Sequence, residues 1–442
     1  MQHEKFHYQS LQDVKETMGR LGVSFPLSEN IKVLGEPFTV AGRTVPNRIA
    51  IQPMEGSDST PEGRPSEYTK KRYERFAKSG AGLIWLEATA IVPEGRATPG
   101  QLYITQDKLD DFKRLVEEIR ETARRENGVE PLIILQATHS GRYSKPHGYP
   151  EPIIAYNNPL FEKDKPIDAS RIITDDRLRE LEELYGEVAK MARQAGFDGI
   201  DIKCCHRYLN CELLSAYTRP GNYGGSFENR TRFLRNAYAS AKAAVGKDLI
   251  VTSRMNIYDG FPYPYGFGVA EGKGTEPDMT EPKRLVGMLM EQGLELLDIT
   301  IGNPYVNPHV NRPFDMGGYV PPEHPFEGVA RMYQCTGEIA KAYPELKIIS
   351  SGVSYLRQFS GNLAAGAVEQ GYCTMAGFGR ESFAYPGFVQ DLLQKGEMDP
   401  KKCCIACGKC AELLRGCFPA GCVVRNPEYL EIYRKNILGK EG

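Results

Sequence analysis

No stretch of this chain approaches the roughly 20 consecutive apolar residues of a membrane helix. Its polar start, MQHEKFHYQSLQDVKE, lacks the apolar centre of a secretory leader. A formal net charge of -2 and a pI of about 6.4 leave no excess charge to draw it to nucleic acid or an anionic membrane. No repeat and no low-complexity tract is present, which excludes solenoids and disordered arrays. Thiols are scarce over most of the length, with Cys335 and Cys373 standing alone as small packing residues. A disulfide framework is therefore not expected. These absences point to a cytoplasmic protein with a small-molecule partner, no nucleic acid and no membrane.

The 442 residues, 41% hydrophobic and 25% charged, suffice for a large core. Eight short apolar runs recur: RIAIQP at 48, GLIWLEA at 82, LIILQA at 132, GIDIKC at 199, LIVTSR at 249, LELLDIT at 294, KIISSG at 347 and YCTMAGFG at 372. Between them lie stretches with apolar residues at i, i+3, i+4 spacing, such as those from Leu109 and Leu178. Strands apolar on both faces, alternating with amphipathic helices, predict a parallel sheet, and eight units predict a closed (β/α)8 TIM barrel. The doubly wound alternative lacks a Gly-rich dinucleotide fingerprint after its first strand. The expected divisions are a helical lead-in at 1–35, the barrel at 36–396 and a cysteine-bearing extension at 397–442. The aromatic loop from Ile257 is too long for a plain turn and is expected to line or cover a site.

In a barrel, chemistry gathers where strands end. Those ends carry Pro53, Met54 and Glu55; Ala88; Gln136; Lys203 to Tyr208; Arg254; Asn307 to His309; Ser351 and Gly352; and Gly379 and Arg380. Glycines after the last two strands, with Arg380, suit an anion such as phosphate. Gln136 and Arg254 suit a ring that offers donors and acceptors.

The segments VPNRIAIQPMEG, LEATAIVPEGRATPGQLYI, LQATHSGRYS, YLNCELLSAYTRPGNYGGSFENRTRF, VTSRM and GFGR resemble the Old Yellow Enzyme family of FMN-dependent ene-reductases. The terminal cysteines resemble its branch with 2,4-dienoyl-CoA reductase and 2-enoate reductase. The resemblance implies that Pro53, Met54, Glu55, Ala88, Gln136 and Arg254 bind the FMN ring. Ser351, Gly352, Val353, Gly379 and Arg380 then take its phosphate, and NADH or NADPH is the reductant. It further implies that Lys203 and His206 hold the substrate's carbonyl, while Tyr208 protonates the α-carbon as flavin N5 gives hydride to the β-carbon. Lys203 stands where the family has a His, and Arg207 where it has a Gly. That predicts a denser positive site and an anionic or strongly polarised substrate. NPHVNRP supplies His309 and Arg312 in the branch's His-x-x-Arg order, so His309 is a second acid candidate.

Six of eleven cysteines fall between Cys403 and Cys422. Cys404, Cys407 and Cys410 are spaced C-x2-C-x2-C, and Cys422 follows after eleven residues. Three close thiols and one distant one suit an iron-sulfur cluster, with four-cysteine zinc as the alternative. The resemblance implies a 4Fe-4S cluster on these four, with Cys403 and Cys417 as spares. The relatives' FAD and NAD(P)-binding module is not expected to follow, which leaves direct reduction by NAD(P)H, an external electron-donor protein that feeds the cluster, or a mainly structural cluster. The function implied is reduction of the C=C bond of an α,β-unsaturated carbonyl compound: a flavone, a steroid enone or an aryl enoate. Amine dehydrogenation and an electron-transfer subunit are the alternatives, and a homo-oligomer is compatible with each.

Overall fold

The computed structural model describes residues 4–440; the first three residues of the expected lead-in and the last two of the extension lie outside them. Strands β1 (Phe38–Val40) and β2 (Arg43–Val45) form an antiparallel hairpin. The eight apolar runs each supply one further strand: β3 (Ile49–Ile51), β4 (Leu83–Ala90), β5 (Leu132–Thr138), β6 (Gly199–Ile202), β7 (Ile250–Asn256), β8 (Leu296–Thr300), β9 (Lys347–Ser350) and β10 (Met375–Phe378). They close in sequential order, β10 returning to β3, with every neighbour parallel. The (β/α)8 barrel holds and the doubly wound alternative does not.

Every residue of β4, β5 and β7 is buried, as a strand covered by helices outside and side chains inside must be. The helix Leu109–Asn127 buries Phe112, Leu115, Val116, Ile119 and Ala123, the stripe its periodicity predicts, and stops at Gly128, whose φ of 71° suits a residue without a Cβ. The lead-in contains the helix Leu11–Leu21, started by a Ser10/Asp13 capping box.

The two ends of the barrel differ. At the N-terminal end Val40 and Val45 of the hairpin pack with Leu83, Trp85, Leu132, Ile134 and Leu296 into an apolar plug. This hairpin escapes periodicity analysis, because each three-residue strand buries a single position. At the C-terminal end the extension folds across the mouth. Its helices Lys409–Arg415 and Pro427–Asn436 share a small core of Leu413, Ala420, Val423, Tyr429 and Tyr433. The amide of Ala420 donates to the Gly56 carbonyl, 2.7 Å away, just beyond β3. Among the described residues no helix is long and apolar enough to cross a membrane.

Candidate active site

A cavity at the C-terminal mouth gathers twelve of the expected catalytic and flavin-binding residues: Pro53, Met54, Glu55, Gln136, Lys203, His206, Tyr208, Arg254, Ser351, Gly352, Gly379 and Arg380. Ala88 is buried in β4 in register with Gln136, and Val353 is buried after Gly352; neither side chain lines the cavity. His309 is also outside it, its Nδ1 2.6 Å from the Tyr319 hydroxyl. The same short helix, Pro308–Asn311, instead brings Asn311 and the following Arg312 to the wall.

Buried carboxylates hold the wall in place. Glu87 accepts from the Gly56 amide at 2.7 Å and from Arg72, which also pairs with Asp58 at 2.8 Å. That triad stands behind the loop carrying Met54 and Glu55. Asp201 accepts from Trp85 Nε1 (2.9 Å), Gln136 Nε2 (2.6 Å) and the Arg254 amide (2.7 Å), so one acid orients two site residues. Asp298 accepts from Gln52 at 2.8 Å and lies 3.0 Å from Arg254 Nε. Burial pushes Asp201 up to about 6 and Asp298 up to about 7 despite these partners. Gln52, Asp201 and Asp298 were missed in the sequence as site residues. The signal for the two acids was a charged residue inside an otherwise apolar strand.

After β6 the chain turns through two consecutive left-handed residues, His206 (φ 63°) and Arg207 (φ 55°). The turn separates their side chains. His206 lines the cavity, and burial, with Arg254 and Lys203 nearby, holds its imidazole well below the usual histidine value, hence neutral. Arg207 leaves the cavity and pairs with buried Asp259 (3.2 Å), its guanidinium lying over Phe161 and Phe261. Lys203 Nζ is 3.2 Å from Glu55 Oε1 and 3.8 Å from the centre of the Tyr208 ring. Of the two cations behind the expected dense positive site, Arg207 is elsewhere and Lys203 faces a carboxylate, but Arg254, Arg312, Arg380 and Arg415 all line the cavity. The expectation for the aromatic loop is corrected. Phe261 packs on Phe161 and Tyr263 on Tyr217, and no loop residue from Phe261 to Phe267 lines the cavity.

Tyr208 meets two polar side chains of the cavity wall. Its hydroxyl donates to Glu55 Oε1 at 2.9 Å and lies 2.9 Å from the Tyr305 hydroxyl. Burial, then the Glu55 charge, holds its phenol well above the usual tyrosine value. Tyr305 was not among the expected residues; it lies five positions past β8, and no pattern marks it.

A second, smaller cavity adjoins the first. It is lined by Cys403, Cys404, Cys407, Cys410 and Cys422 but not by Cys417, and Arg380, Phe383 and Cys410 form a wall common to both cavities. Among the described residues no group of three His, Cys, Asp or Glu side chains is disposed to hold a metal ion. Cys403 donates to the Asp399 carbonyl at 3.3 Å, and the Cys404 amide to buried Glu381 at 3.1 Å.

Residues 33–299 match the NADH:flavin oxidoreductase / NADH oxidase family. The chain belongs to that family. An NADPH dehydrogenase of Halalkalibacterium halodurans is 32% identical over 268 residues, 60% of this chain and 72% of that protein. Among solved structures, a 2-naphthoyl-CoA reductase in complex with 2-naphthoyl-CoA aligns with a TM-score of 0.74 at 20% identity, over 90% of this chain and 57% of that one. An old yellow enzyme homologue from Zymomonas mobilis aligns with a TM-score of 0.63 at 22% identity, over 83% of this chain and 94% of that one. The chain thus spans little more than half the length of the naphthoyl-CoA reductase. This flavin oxidoreductase is an FMN-dependent enzyme, and NADH or NADPH goes with the family as reductant.

The residues present fit FMN. Arg380 Nη1 is buried with no hydrogen-bond partner, an arrangement that costs free energy unless an anion meets it. A Cβ at Gly379 would stand 3.1 Å from Met54 Sδ, so that glycine leaves backbone open beside Arg380.

Proposed function

We propose that this flavin oxidoreductase reduces the C=C bond of an α,β-unsaturated carbonyl compound, with Tyr208 as proton donor. One observation carries the reading: Lys203, His206, Tyr208 and Glu55 converge in the cavity that Gln136, Arg254 and the unpartnered Arg380 also line. The backbone of Pro53, Met54 and Glu55, with Ala88, Gln136 and Arg254, would hold the FMN ring. Ser351, Gly352, Val353, Gly379 and Arg380 would hold its phosphate. FMN bound there would supply hydride transfer.

The chain's own groups do the rest. Neutral His206 and Lys203 hold the carbonyl oxygen, where negative charge develops as the double bond is reduced. Tyr208 protonates the α-carbon as general acid. Lys203 is paired with Glu55 and Arg207 is turned away, while Arg312 and Arg415 add positive charge to the wall, so the site suits an anionic or a strongly polarised carbonyl compound. A flavone, a steroid enone and an aryl enoate are each compatible with that wall. His309, turned to Tyr319, is the weaker acid candidate.

Cys404, Cys407, Cys410 and Cys422 are read as ligands of a 4Fe-4S cluster, in the manner of the 2,4-dienoyl-CoA reductase branch. All four thiols line one cavity, and three close cysteines with a distant fourth suit an iron-sulfur cluster better than two facing zinc pairs. Cys410, on the wall of both cavities, supports entry of electrons through the extension from a donor protein.

The test is to reduce the holoenzyme anaerobically with dithionite and mix it with enones, enoates and amines while following flavin absorbance. Prompt reoxidation by an enone is the expected result. Reduction of oxidised enzyme by an amine, or indifference to every small molecule with fast exchange with a redox protein, would overturn it.

A further inference from the structure

The contacts of Tyr208 raise a proton-counting problem. A phenol carries one proton and an ionised carboxylate carries none. The Tyr208 proton is committed to Glu55 Oε1, so the 2.9 Å contact between the two hydroxyls is made by the proton of Tyr305. Beside an anion, Tyr208 is a reluctant acid, because losing its proton would leave a phenolate facing a carboxylate. Something must meet that charge. Lys203 lies over the ring rather than at the oxygen, and Tyr305 is the hydroxyl already pointed at it.

Tyr305 is held for this by groups from three parts of the chain. Its ring stacks on Tyr143 with centroids 3.8 Å apart and 18° between planes. Asn303 accepts from the Tyr305 amide at 2.8 Å and donates to the Tyr143 hydroxyl at 2.8 Å. Arg415, from the cysteine-bearing extension, donates to the Pro304 carbonyl at 2.9 Å. The extension grips the other side too, through the Ala420 amide on Gly56, next to Glu55. It therefore braces both groups that hydrogen-bond the Tyr208 oxygen.

We infer that Tyr305 is the second hydroxyl of a proton relay, acting through Tyr208; the inference rests on Tyr208 being the acid. The Tyr208 O–H bond breaks as the bond from hydrogen to the substrate α-carbon forms, and the O–H electron pair stays on the Tyr208 oxygen. That oxygen takes the proton of Tyr305. Tyr305 recovers one from water entering the cavity that it lines beside Tyr208. The carbon keeps the first proton, and water is the net donor.

The experiment uses the holoenzyme, reduced anaerobically with dithionite and mixed with an enone in H2O, D2O and mixtures of the two, for wild type, Tyr305→Phe and Tyr208→Phe. Phe keeps the stacking on Tyr143, and the flavin spectrum reports that the site is intact. Tyr305→Phe is expected to slow reoxidation roughly 10- to 100-fold, the effect of one lost hydrogen bond to a charged oxygen. It is also expected to lessen the bowing of the dependence on deuterium fraction, because the exchangeable hydrogens in motion fall from three, on flavin N5, Tyr208 and Tyr305, to two. Packing alone would not change that curvature. The same curvature in wild type and Tyr305→Phe, or an unchanged rate in Tyr305→Phe while Tyr208→Phe is slow, would overturn the relay. A wild-type rate in Tyr208→Phe would instead remove the acid on which the relay rests.

Discussion

The two ends of this barrel are made by the same eight strands and obey opposite rules. The N-terminal end is filled by Leu83, Trp85, Leu132, Ile134 and Leu296 and sealed by a hairpin, and its buried polar side chains are paired: Asn47 with the Gly80 carbonyl and the Ile49 and Gly82 amides, Asp198 with Arg43, Arg120 and the Ile133 amide. At the C-terminal end the strands present Gln52, Gln136, Lys203, Arg254 and Asp298, and the buried Arg380 Nη1 has no partner. Burying such groups costs free energy that the apolar end must offset. One end therefore supplies stability and the other spends it on a site shaped for a ligand.

The comparison breaks first at Tyr208. Tyr208→Phe removes the proposed general acid and should slow enone-dependent flavin reoxidation about 10²- to 10⁴-fold, with the melting temperature nearly unchanged; stopped-flow absorbance and calorimetry measure the two. Leu296→Ala at the opposite end should do the reverse. It should lower unfolding free energy by about 2–5 kcal/mol through a cavity in the plug, while the reoxidation rate per bound flavin stays the same; denaturant melts check the first and stopped flow the second. Arg380→Met should weaken FMN binding roughly 10- to 100-fold, yet leave the FMN-free protein as stable or more so, because an unmatched buried cation is gone. Fluorescence titration and the apoprotein melt distinguish these. The smallest effect is expected at Cys417: Cys417→Ser should leave iron and acid-labile sulfide at wild-type content, whereas Cys404→Ser or Cys422→Ser should lose both. Equal loss in all three would place Cys417 among the ligands.

The barrel was legible because its signals are local. Each strand is a short apolar run and each outer helix an apolar stripe repeating every three or four residues, and both periodicities depend only on neighbours in the chain. The twelve cavity residues were legible for a related reason, since a parallel barrel puts every strand end at one mouth. The β1–β2 hairpin was not, as a strand with one buried position has no period to detect.

What the amino-acid sequence determines by itself is therefore the architecture, the face that carries the chemistry, and the cysteine spacing. Tertiary structure alone decides which charges meet there. His206 and Arg207 are adjacent in sequence, and two left-handed residues send one into the cavity and the other to Asp259. Glu55 and Tyr305 reach Tyr208 across 153 and 97 residues, and the extension braces both only because it folds back over the mouth. Coulomb and hydrogen-bond energies depend on distance in space, and chain spacing does not encode that distance until the barrel has closed.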